Sequence, residues 1–147
     1  MMIARINIKI KKIHPKARHP RYTTEGSAGC DFYALNDITL YPGEVKKIPT
    51  GIALELPPGY FLKLEGRSGL GVRGIMNVGS VIDTDYRGEI SIILHNNADK
   101  PYFIEEGDRI AQGVLTPVLQ AQFEETTALS ETERGTGGFH STGKNDE

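Results

Sequence analysis

A chain of 147 residues suits one domain with a single sizeable core. Its net charge of −2 lacks the basic excess that sequence-independent nucleic-acid binding needs, so no nucleic-acid partner is expected. A lone cysteine, Cys30, excludes an internal disulfide framework and suits a reducing compartment, and no apolar run approaches the ~20 residues that cross a bilayer. The expectation is a cytoplasmic domain with no membrane partner.

The elements follow in chain order. Ile6, Ile8 and Ile10 alternate with Asn7, Lys9 and Lys11, the period of a strand over residues 5–11. The positive charges there would also suit a transit peptide, but the alternation favours the strand. Further strands are expected at 44–49, 52–56, 60–65, 80–82, 89–95, 101–104 and 110–117, with a short run near Gln122. Between them stand the turn formers Tyr41-Pro42-Gly43, Pro57-Pro58-Gly59 and Glu106-Gly107-Asp108. Few windows hold a 3.6-residue period. The pattern is that of an all-β fold, an antiparallel sandwich or barrel of short strands.

From Thr126 onward the composition changes to Thr, Glu, Ser and Gly, with Leu129 and Phe139 almost the only large apolar residues. Such a segment cannot bury enough surface to offset its ordering entropy unaided. The expected division is a β domain over 1–125 and a flexible arm over 126–147.

Polar or glycine-rich residues interrupt the strand pattern at 28–34, 66–70, 79–90, 107–112 and 134–143. Arg67-Ser68-Gly69 offers a guanidinium fork, a hydroxyl and an open backbone N–H, donors suited to phosphate oxygens. A short helical turn starting at Ser68 would add a favourable dipole; a plain N-cap beside a surface arginine explains the same residues equally well. Asp83-Thr84-Asp85-Tyr86 falls between two strand runs and reads as a hairpin. If it is extended, Asp83 and Asp85 share a face, where a carboxylate could serve as general base toward water; a solvated hairpin tip is the plainer alternative. In the tail, Arg134, a glycine-opened backbone and the Ser141 and Thr142 hydroxyls form a second donor-rich loop without the Gly-Lys-Ser/Thr ending of a P-loop. His14, His19, His95 and His140 show no metal-ligand spacing, Cys30 reads as a small core residue, and Asp108-Arg109 reads as an ion pair or turn element.

In order, content and spacing these segments resemble the motifs of the trimeric dUTPase family, over about residues 20–143. The resemblance implies a jelly-roll-like β-barrel, a homotrimer with active sites shared among subunits, and Mg²⁺ as cofactor. It implies hydrolysis of dUTP to dUMP and pyrophosphate, limiting uracil in DNA and supplying dUMP for dTMP synthesis. Asp31 would organise water around the metal, which is held mainly by the substrate phosphates. Arg67, Ser68, Gly69 and Gln112 would contact those phosphates. Asn77, Val81 and Ile82 would line the hairpin that takes uracil, Asp83 would activate the water, and Tyr86 would lie under the deoxyribose. Arg134, Ser141 and Thr142 would reach the terminal phosphate, Phe139 would stack on uracil, and His140 would stand between them. Two residues depart from the family pattern: His140 where glycine is usual, and Gly113 where a larger apolar residue is common. A dCTP deaminase of the same fold would need a further acid/base glutamate beside the base, for which no motif is present. A non-catalytic trimeric module is disfavoured because every residue assigned a chemical role is present.

Overall fold

The computed structural model describes residues 2–79, 81–139 and 142–143. Its strands are β1 (Lys9–Lys12), β2 (Cys30–Tyr33), β3 (Ile38–Leu40), β4 (Val45–Glu55), β5 (Tyr60–Glu65), β6 (Ile75–Asn77), β7 (Val81–Ile82), β8 (Ile90–Asn96), β9 (Tyr102–Ile104) and β10 (Arg109–Pro117). One helical turn, α1 (Ser68–Gly71), begins at Ser68, the first of the two alternatives the sequence left open there, and has no side-chain cap hydrogen bond. The strands form two four-stranded antiparallel sheets, β1-β4-β8-β6 and β2-β10-β5-β7, and a ribbon β3-β9. This is the expected all-β, jelly-roll-like architecture.

A single cluster fills the space between the sheets. Ile48, Ile52, Ile90, Ile92 and Leu94 of the first sheet meet Phe32, Leu62, Leu64 and Ile110 of the second. Alternation is cleanest in β8, where Ile90, Ile92, Leu94 and Asn96 all point inward, as the two-residue period of a half-buried strand requires. The inward Asn96 is fully satisfied: Nδ2 donates to the Leu40 and Lys100 carbonyls at 2.8 Å each, and Oδ1 accepts from the Ala98 N–H at 2.9 Å.

Several expectations are corrected. The runs at 44–49 and 52–56 are one strand, β4, whose pairing with β8 shifts register between Pro49 and Ile52. A bulge at Thr50-Gly51 absorbs the turn signal without ending the ladder. The first strand starts at Lys9, because only residues 9–12 find partners, on β4 from Glu55 to Ile52. The run near Gln122 forms no strand, and no helix or strand occurs among the described residues after Pro117. The stretch after β7 is not a hairpin: β7 pairs with β5, while β8 pairs with β4 and β6, so residues 83–89 cross from one sheet to the other. Within that crossing Asp83 and Asp85 are not on an extended face, since a turn closes with the Tyr86 N–H on the Asp83 carbonyl at 3.2 Å. Among the described residues no helix is long and apolar enough to cross a membrane.

Candidate functional site

Strand β10 lies between β2 and β5 and brings three of the interrupted segments together. Gln112 pairs with Asp31 on one side and Glu65 on the other, so residues just past the end of β5 arrive beside β2. Asp31, Arg67, Ser68 and Gln112 thereby line one open cleft of about 340 Å³. The Arg67 Nε stands 3.1 Å from Asp31 Oδ1 and its Nη1 donates to the Arg109 carbonyl at 3.3 Å. Asp31 Oδ2 accepts from the Thr23 hydroxyl at 2.8 Å and faces Arg109 Nη1 at 3.8 Å. Gln112 Nε2 donates to the Gly66 carbonyl at 3.1 Å, tying β10 to the start of α1.

The guanidinium of Arg67 is therefore fixed by a largely buried carboxylate rather than free to sample rotamers. A preformed fork loses little entropy when it meets an anion, which favours phosphate recognition at this position. The backbone N–H groups opening α1 have no partner within the turn and add donors on the same rim. Gly69 lies on the far side of this rim, beside Arg73 and Tyr102.

Two glycines are required by close approach. A Cβ on Gly29 would stand 2.8 Å from Gln112 Oε1, so any side chain there would push the glutamine out of the cleft. A Cβ on Gly113 would stand 2.7 Å from Phe32 Cε2 and about 3 Å from both Leu62 methyl groups. The Phe32 ring occupies the space that a larger residue at 113 would fill.

Sequence reasoning missed Thr23, Thr24, Ser27 and Arg109, which complete the cleft wall. The hydroxyl-rich run before Ala28 was the signal for the first three. Asp108, by contrast, is the turn element expected, its Oδ2 accepting the Glu105 N–H at 2.9 Å, while Arg109 turns to Asp31 instead.

The remaining predicted residues lie elsewhere in the same subunit. Asn77 ends β6 with Nδ2 on the Leu64 carbonyl at 3.0 Å, and its buried Oδ1 has no partner among the described residues. Val81 is exposed and Ile82 half-buried on β7, followed by an exposed Asp83. The Tyr86 hydroxyl donates to the Glu89 carbonyl at 2.9 Å, and the ring is 44% exposed. Ile82 pairs with Leu62, so Asp83 is level with the start of β5, whereas Arg67 lies past its end. At about 3.3 Å per residue the two are roughly 15–20 Å apart along the strand. Arg134 folds back with Nε on the Gly137 carbonyl at 2.8 Å, and Phe139 is wholly exposed. Thr142 is exposed; His140 and Ser141 lie outside the described residues, as does Ser80 at the start of the expected strand 80–82.

The profile of the dUTPase family matches residues 15–143. A deoxyuridine 5'-triphosphate nucleotidohydrolase of Helicobacter pylori (strain P12) is 47% identical over 141 residues, covering 94% of this chain and 97% of the relative. Another, of Nautilia profundicola, is 44% identical over 142 residues, covering 95% of this chain and all of the relative. Among solved structures, a Staphylococcus bacteriophage 80alpha dUTPase with dUpNHpp superposes with a TM-score of 0.88 at 27% identity, covering 94% of this chain and 99% of the other.

Proposed function

The chain belongs to the dUTPase family, and from that premise we propose how its residues divide the work. The protein is a dUTP diphosphatase: it hydrolyses dUTP to dUMP and pyrophosphate. In the proposed mechanism a water molecule attacks the α-phosphorus, Asp83 accepts its proton, and pyrophosphate leaves. Arg67, Ser68 and Gln112 hold the triphosphate in the cleft, with Gly69 offering its N–H. Uracil lies along residues 77–82, where Asn77, Val81 and Ile82 surround it. A polar frame matched to uracil leaves groups unpaired against cytosine, which discriminates by about 10⁴–10⁵. Tyr86 lies under the deoxyribose and crowds a 2′-hydroxyl. Thymine's methyl group overpacks the same pocket, at about 1–3 kcal/mol.

The observation that carries the reading is the separation of Asp83 from Arg67 along β5. A base must come within hydrogen-bond reach of the water it activates. Phosphates held by a subunit's own Arg67 lie too far from its own Asp83. The site is therefore completed by a neighbouring copy, in a homotrimer with shared active sites. The arm over 126–147 supplies the remaining wall, with Arg134, Ser141 and Thr142 on the terminal phosphate, His140 between them giving its backbone N–H, and Phe139 on uracil. A Phe139 wholly exposed in its own subunit supports that role.

Mg²⁺ fits this donor set. Among the described residues no group of three or more His, Cys, Asp or Glu side chains stands together, so the ion would draw most of its oxygen ligands from the triphosphate. Asp31 has both oxygens engaged by Thr23, Arg67 and Arg109, yet a carboxylate offers about four lone-pair sites, leaving room to orient water around the ion. When bound, Mg²⁺ neutralises charge on the phosphate oxygens. A buried free thiol at Cys30 supports a cytoplasmic location.

Pyrophosphate release from dUTP, UTP and each of the four common dNTPs tests the reading. Release from dUTP alone is expected; comparable release from dCTP or dTTP would contradict the assignment of uracil to residues 77–82.

A further inference from the structure

Beside the cleft lies a second open cavity, of about 490 Å³, lined by Arg18, Arg21 and Arg109 and by one carboxylate, Asp108, whose Oδ2 accepts the Glu105 N–H. Arg109 is occupied with Asp31, but among the described residues neither Arg18 nor Arg21 has a carboxylate at ion-pairing distance. Arg18 is nevertheless held in place. Its guanidinium lies 5.9 Å from the centre of the Tyr33 ring, and it packs so closely on Gly107 that a Cβ there would stand 2.6 Å from it. The cavity shares Thr23 and Arg109 with the triphosphate cleft, so the two adjoin.

Charge is segregated along the chain in a way that answers this cavity. Residues 1–24 hold seven Lys and Arg and no Asp or Glu, whereas residues 118–133 hold four Glu and no Lys or Arg. From Leu119 onward the acidic segment is uncovered, with Leu119, Phe123 and Leu129 all exposed. Glu131 and Glu133 immediately precede Arg134. With residues 134–143 over the cleft, the two carboxylates fall within roughly 10 Å of it along an extended chain, beside the cavity and its free guanidinium groups. A subunit's own segment would have to double back along its own strand for this. It leaves at Val118, whose N–H donates to the Gly59 carbonyl, the whole length of β10 from Arg109 and roughly 25 Å away.

We propose that the cavity formed by Arg18, Arg21 and Arg109 docks Glu131 and Glu133 from the arm of a neighbouring copy, acting as an electrostatic latch for the lid. This rests on the reading of residues 134–143 as that lid. Exposed ion pairs are individually weak and screened by salt, so the latch closes and releases readily. It also has an opposite sign from simple field effects. Removing two negative charges near a triphosphate site would ordinarily tighten anion binding, whereas losing the latch loosens it.

The direct test places cysteines at Arg18→Cys and Glu131→Cys in the full chain and oxidises it with dUpNHpp bound. Cys30 is buried and does not compete. Subunit-to-subunit cross-links on a denaturing gel are expected; no cross-link, or one confined within single chains, overturns the proposal. In parallel, Glu131→Gln with Glu133→Gln should raise KM for dUTP about three- to tenfold at low salt, an effect that vanishes at high salt. An unchanged or lowered KM would count against the latch. Truncation after Ser130 separates the two ideas: if it leaves hydrolysis intact the lid itself fails, while a dead truncation together with no cross-link in the full-length double-cysteine chain sinks the latch alone.

Discussion

Asp83 and Asp85 pose the sharpest question about single residues, because both are exposed carboxylates on one short crossing. Asp83→Asn keeps the shape and removes the proton acceptor, so turnover should fall by about 10²–10⁴ while dUTP still binds. Asp85→Asn should cost far less. Single-turnover rates and analogue binding measured on both variants decide it, and a larger loss at Asp85 would reverse the assignment. Gly113 offers a packing test. Gly113→Ala forces a methyl against Phe32 and should cost about 1–3 kcal/mol of stability. Adding Phe32→Leu should recover part of that loss in thermal unfolding; if the double variant is merely additive, Phe32 is not what excludes a side chain at 113. Cys30 adds a pH dependence. Burial raises its thiol pKa, so neutrality of this group favours the folded state below the ordinary thiol pKa of about 8.5, and that contribution is lost as pH rises through the elevated folded value. The intact protein should therefore lose stability on the alkaline side more steeply than Cys30→Ala; parallel Tm-against-pH curves for the two would show that Cys30 contributes nothing there.

At the scale of elements, β5 sets the layout. One end leads into α1 and the Arg67 cleft, and the other end carries two features together. Pro117 of β10 pairs with Tyr60, and the Thr84 hydroxyl donates to the Tyr60 carbonyl, so the arm departs beside the Asp83 crossing. Each chain thus presents the Arg67 cleft at one end of β5 and Asp83 with the outgoing arm at the other. Among its described residues the arm makes no ladder after Pro117, and it is glycine-rich near its end, so closing it would cost several kcal/mol of ordering that its contacts must offset. In the proposed mechanism ligand would supply those contacts, and closure would exclude bulk water. Truncation after Ser130 should leave a folded trimer of nearly normal thermal stability with very little dUTP hydrolysis, as read by sedimentation, Tm and pyrophosphate release. A truncated trimer turning over at the intact rate would remove the arm from the mechanism.

For the molecule as a whole, the local features were legible in the sequence and the long-range ones were not. Strong alternation disclosed β5, β8 and β10, and glycine-framed donor residues disclosed Asp31, Arg67, Ser68 and Gln112 as a group. β2 was read only as a polar interruption because three of its four residues are buried in succession, which erases the two-residue period. β3 and β6 are three residues each, too short for a period to register. The distance between Arg67 and Asp83 was illegible because it follows from the pairing of β7 with β5 rather than with β8, a non-local choice no window of sequence contains. That distance underlies the central claim, that base and phosphate-binding groups in one working site come from different copies. Mixed assembly tests it most directly. Asp83→Asn and Arg67→Ala chains, each inactive alone, are unfolded together in equal amounts and refolded, with intact protein treated identically. Recovery to about a quarter of the intact rate is expected, the chance that a cleft with Arg67 meets a neighbour with Asp83 in random closed assemblies. A mixture that stays at the level of its two parents, while the intact control recovers, would contradict it.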